Sequence, residues 1–212
     1  MKVKRKEAAL LAEFFGTFVL VTAVLATANI GHAFFPAITA GIVLMVMVLV
    51  IGGLSGSHIN PAVTIGFWSQ KKIDTLQAMS YIVAQLVGGL VAWGTVQWLL
   101  DTKINSAISK SVDWRVLVAE LVGTFVFTAG VATAVGKQLE GATLALAVGF
   151  SLTVGIIVAS VGSSGLLNPA VAVGLHSYSL AYIVGPLVGG VLGMAFYKYV
   201  LDADSPKSKK RR

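Results

Sequence analysis

Charged residues along this chain fall in short clusters that separate long apolar runs. None lies between Glu13 and Lys71, none from Thr75 to Leu100, none from Leu121 to Gly136, and none between Glu140 and Lys198. A helix that crosses a bilayer needs about 20 predominantly apolar residues, so the two longest gaps each have room for two crossings. The pattern predicts six spans in all, over 8–28, 36–55, 76–99, 114–136, 142–161 and 178–200. Two further apolar pieces, 60–68 and 168–176, are too short to cross as helices. Each is expected to be re-entrant or interfacial, because exposed irregular backbone has no partner in hydrocarbon.

The chain also contains itself twice. Ala12-Glu13-Phe14-Phe15-Gly16-Thr17-Phe18 returns as Ala119-Glu120-Leu121-Val122-Gly123-Thr124-Phe125, and Ile59-Asn60-Pro61-Ala62-Val63 returns as Leu167-Asn168-Pro169-Ala170-Val171. Tyr81-Ile82-Val83-Ala84-Gln85-Leu86-Val87-Gly88-Gly89 returns, in the same order along the chain, as Tyr182-Ile183-Val184-Gly185-Pro186-Leu187-Val188-Gly189-Gly190. Each half holds an odd number of spans, so the second half enters the membrane from the opposite side and the repeat is inverted. The expectation is one all-α membrane domain over 1–212, with repeats at about 8–100 and 114–201 and a basic tail at 202–212.

Composition agrees with the pattern: 56% of residues are hydrophobic and only 12% charged. The net charge of +7 changes the picture through its placement. In the six-span scheme Lys103, Lys110 and Arg115 lie on one side of the membrane and every other Lys and Arg on the opposite side. Cytoplasmic loops are enriched in Lys and Arg, so both termini are expected in the cytoplasm. The excess charge then reports topology, and no nucleic-acid partner is implied. The tail Lys207–Arg212 reads as a solvated stop, with anionic lipid headgroups as the alternative contact. A basic start, an apolar run and Ala26-Thr27-Ala28 imitate a cleavable signal, but cleavage would remove the partner of the fourth span.

Chemistry is sparse. With no cysteine there is neither thiolate catalysis nor a Cys metal site, and His32, His58 and His176 are scattered, so no enzyme, metal site or cofactor is expected. A carboxyl within a span is costly and needs a partner. Glu13 and Glu120, at matching places in the two halves, are expected to accept hydrogen bonds from backbone N–H groups of the re-entrant loops. A proton-relay pair in a secondary transporter is the alternative. His58, beside the first Asn-Pro-Ala, is expected to support the loop or line a pore.

Asn is a good N-cap and Pro fits the first helical turn, so each Asn-Pro-Ala reads as the start of a short helix. Two half-helices entering from opposite faces would meet near the midplane with their positive dipole ends and the amides of Asn60 and Asn168 together. That arrangement offers donors to a small neutral molecule and opposes cations, the logic already established for aquaporin-type pores.

Ser55-Gly56-Ser57-His58-Ile59-Asn60-Pro61-Ala62-Val63-Thr64, the paired Glu-x-x-Gly-Thr-Phe segments, Tyr81–Gly89 and Val184-Gly185-Pro186-Leu187 together resemble the aquaporin and aquaglyceroporin family over nearly the whole chain. The resemblance implies six tilted helices plus two half-helices, one pore per subunit, a homotetramer in the lipid bilayer, and water or small neutral solutes of the glycerol, urea and ammonia class as cargo. It also places a selectivity constriction at Ala40, Ile156, Gly165 and Val171. Val171 stands where the family usually has Arg, Ala40 where an aromatic is common, and Gly165 one residue nearer Asn168 than the usual Gly. The stretch from Ala170 to Pro186 is short for the family. A constriction of small and aliphatic residues is expected to be wider and more apolar than that of a strict water pore.

Overall fold

The computed structural model describes residues 4–28, 34–101, 103 and 112–202. His32, Lys110 and the basic tail Lys207–Arg212 lie outside the described residues. Among the described residues the chain is all helix: α1 (Arg5–Ala28), α2 (Phe34–Ser55), α3 (Pro61–Ser69), α4 (Thr75–Leu100), α5 (Trp114–Gly136), α6 (Gly141–Ala159), α7 (Pro169–Gly174) and α8 (Ala181–Phe196), the last continuing as a π turn over Tyr197–Leu201. Six of these are long and apolar enough to cross a membrane, and the protein is a multi-pass membrane protein.

The ends differ from the sequence pattern where hydroxyls intervene. The fifth span stops at Ala159 instead of 161, where Ser160 Oγ donates to the carbonyl of Ile156 at 2.8 Å. The sixth begins at Ala181 instead of 178, after a turn in which Ser179 Oγ accepts from the Ala181 N–H. The second short helix covers only six residues, against nine in α3.

Packing repeats the sequence symmetry. α1 lies on α4 and on α2 as α5 lies on α8 and on α6, while α2 and α6 cross between the halves. The short helices are exchanged: α3 packs on α8 and α7 on α4. Adjacent glycines make the exchange possible. A Cβ at Gly89 would fall 2.5 Å from the Ala170 carbonyl oxygen, and one at Gly190 would fall 2.5 Å from that of Ala62. Backbone therefore lies directly on backbone at both Asn-Pro-Ala segments, the close approach that small residues permit between membrane helices. Gly41 and Gly149 serve the α2–α6 crossing in the same way.

Candidate functional site

The site is built where α3 and α7 point their N-termini at each other. Asn60 and Asn168 cap these helices in extended conformation, with Pro61 and Pro169 in the first turn. Asn60 Oδ1 accepts from Ala62 N–H at 2.7 Å, and Asn168 Oδ1 from Ala170 N–H at 2.9 Å and Val171 N–H at 3.4 Å. With its oxygen fixed by the cap, each amide must aim its NH₂ away from its own helix. Asn60 Nδ2 donates to the Leu167 carbonyl and Asn168 Nδ2 to the Ile59 carbonyl, both at 2.9 Å. The two motifs are thus tied reciprocally. Each Nδ2 keeps a second hydrogen beyond this cross-tie.

Ile59 and Leu167 hold φ of 39° and 50°, a left-handed conformation that β- and γ-branched residues adopt only when the surroundings enforce it. The enforcing groups are carboxylates. Glu13 accepts His58 N–H on Oε1 at 2.9 Å and Ile59 N–H on Oε2 at 2.6 Å. Glu120 accepts Leu166 N–H on Oε1 at 2.9 Å and Leu167 N–H on Oε2 at 2.7 Å. Both carboxylates are fully buried. In each half one residue joins the two systems, Ile59 or Leu167, its N–H held by a carboxylate and its carbonyl by the other half's Asn.

A serine at the matching place of each loop also serves the carboxylate, Ser55 for Glu13 and Ser163, at 2.8 Å, for Glu120. Glu13 has a further bond from Gln85 Nε2 at 2.7 Å, an amide that also donates to Thr64 Oγ1 at 3.0 Å. Pro186 occupies the place equivalent to Gln85. Gln85, Thr64 and Ser163 are absent from the sequence expectations. A polar amide in a charge-free span, matched by Pro in the other half, is the signal that marks Gln85.

His58 stacks on Phe67 at 4.8 Å, meets Tyr81 edge-on at 5.4 Å and places Nδ1 3.2 Å from Thr64 Oγ1. Thr64 Oγ1 accepts from Gln85 and has both the Asn60 carbonyl, at 3.1 Å, and His58 Nδ1 within reach of its one proton, so the tautomer of His58 follows from which of the two it serves. His58 lines a cavity of about 50 Å³ together with Ser57, Val63, Phe67, Leu44 and Phe127. A volume of that order holds a few water molecules.

Ala40, Ile156 and Val171 are buried in one apolar cluster. Gly165 touches Ile156: a Cβ there would lie 2.9 Å from the Ile156 carbonyl oxygen and 3.0 Å from its Cγ2. Gly165 has φ +63°, which only glycine adopts without strain. None of the four brings a side-chain donor or charge. Among the described residues no cluster of His, Asp and Glu could hold a metal ion.

Two short helices meeting tip to tip inside a six-span bundle define a multi-pass membrane protein with half-helices at its centre. The chain belongs to the major intrinsic protein family, whose model matches residues 1–197. It is 32% identical over 215 residues to a probable aquaporin of the NIP type from Nicotiana alata, covering 93% of this chain and 79% of that one. It is 30% identical over 239 residues to aquaporin AqpM from Methanothermobacter marburgensis, covering 90% of this chain and 96% of that one. The X-ray structure of the aquaglyceroporin from Plasmodium falciparum matches with a TM-score of 0.78 at 25% identity, over 97% of this chain and 99% of that one.

Proposed function

We propose that the protein is a passive channel for water and small uncharged solutes, with its pore running past the paired Asn amides. The reciprocal contact of Asn60 and Asn168 carries this reading. It holds two donors of known orientation, and the His58 ring lines a small cavity nearby, so a hydroxyl could exchange partners in steps. Cations meet helix N-termini and amide hydrogens instead, which raises their barrier. On the outer side Ala40, Ile156, Gly165 and Val171 form the constriction, and the absence of a guanidinium at Val171 favours solutes larger than water. Both termini face the cytoplasm by the Lys and Arg asymmetry, and the subunit assembles as a homotetramer, as the family resemblance implies.

The transporter alternative is disfavoured by how Glu13 and Glu120 are used. Each carboxylate is committed to hydrogen bonds with its re-entrant loop, and Glu13 to Gln85 of α4 as well, leaving neither buried carboxylate to couple an ion. Reconstitution in liposomes separates the two. Downhill flux of water and glycerol or urea, unsaturated at low millimolar solute and indifferent to Na⁺ or H⁺ gradients, is expected. Gradient-dependent, saturable uptake would sink the channel reading.

A further inference from the structure

The two re-entrant loops are not held equally. In the first half the buried Gln85 amide pins both Glu13 and the α3 residue Thr64. In the second half Pro186 stands at that place and has no polar group to offer, so the amide anchor has no counterpart there. Ser163 Oγ donates to Glu120 and accepts from the Gly165 N–H at 3.0 Å, as Ser55 serves Glu13 and the Ser57 N–H in the first half. Ser164 is fastened to α8: its N–H donates to Tyr182 Oη at 3.2 Å, and Tyr182 Oη donates to Ser164 Oγ at 3.0 Å. The Tyr182 ring packs on the core while this hydroxyl pair is at the surface. Pro186 also cannot donate to the Tyr182 carbonyl four residues earlier, which loosens the first turn of α8.

Ser164 immediately precedes Gly165, and Gly165 rests against Ile156. We propose that Tyr182 and Ser164 form a latch that sets the width of the outer constriction, with Tyr182 a positioning residue for solute selectivity. The proposal rests on the reading that Gly165, Ile156, Ala40 and Val171 bound the outer pore. Surface hydrogen bonds exchange with water at little net gain, so the latch is weaker than the Gln85 anchor and is the point at which the outer loop gives. With it closed, Gly165 is held near Ile156. Without it, the loop samples wider arrangements that admit bulkier molecules.

The test uses the full chain in liposomes, with water and glycerol permeability measured on the same vesicles for wild type, Tyr182→Phe, Ser164→Ala, the double variant and Val171→Arg. Tyr182→Phe is expected to raise the glycerol-to-water ratio at least about twofold, about 0.4 kcal/mol in relative barrier. Ser164→Ala, which removes one of the two bonds, is expected to raise it less. The double variant is expected to match Tyr182→Phe, because loss of Oη already breaks both bonds. The ratio divides out the amount of folded channel, so simple destabilisation does not move it. An unchanged ratio in Tyr182→Phe beside a lowered one in Val171→Arg overturns the latch and leaves the constriction standing. Additive single effects also overturn the latch. Unchanged ratios in every variant overturn both readings.

Discussion

Replacing Glu120 by Gln is expected to cost more than replacing Glu13, although the two carboxylates stand at equivalent places in the repeat. In Glu120→Gln one acceptor oxygen becomes an NH₂. If the remaining oxygen keeps Leu166 and Ser163, the new amide hydrogens face the Leu167 N–H, a donor now bound at 2.7 Å. The lost charge-assisted bond is worth about 1.5–3 kcal/mol and the stranded donor about 1–3 kcal/mol. Relief of carboxylate burial offsets part of this, leaving about 3 kcal/mol. For a chain of this size that corresponds to a fall in Tm of about 6–12 °C. Glu13→Gln begins the same way, with the new NH₂ facing Ile59 N–H and Gln85. Gln85 Oε1, however, is buried without a partner and can accept from the new amide once the Gln85 side chain turns over. The first half thus repairs itself in part, and Glu120→Gln should melt several degrees below Glu13→Gln. Thermal unfolding of both variants in one detergent, followed by helical signal, decides the order. Equal melting points, or a larger loss in Glu13→Gln, would refute the reasoning about Gln85.

Val171→Arg should lower permeability to glycerol and urea more than to water, because a planar guanidinium narrows the outer opening and supplies fixed donors; liposomes of matched protein density give the ratio. Asn168→Asp should keep the fold but place negative charge where α3 and α7 meet, raising cation leak in a liposome ion-flux assay. Gly190→Ala should destabilise by about 1–3 kcal/mol by driving a Cβ onto the Ala62 carbonyl oxygen, measured as a drop in Tm. Gly94→Ala, where a Cβ meets nothing within 4 Å, should be neutral or slightly stabilising in the same assay.

Six crossings, two short pieces and an inverted repeat follow from the sequence because the bilayer imposes a length and an apolarity that can be counted along the chain. The Asn-Pro pairs announce helix starts by purely local chemistry, so the places of Asn60 and Asn168 are legible too. Costly groups are conspicuous for the same reason: Glu13 and Glu120 stand out because hydrocarbon penalises a carboxyl. What those groups hold is a different matter. The N–H groups that Glu13 accepts lie 45 and 46 positions away, and the carbonyl that receives Asn60 lies 107 positions away. Periodicity and propensity carry no information over such separations. The exchange of α3 and α7 between halves, the seating of His58 between Phe67, Tyr81 and Thr64, and the double hold of Gln85 on Glu13 and Thr64 were decided only by packing. Hydrogen bonds are directional and short, and only the assembled tertiary structure brings their partners within reach.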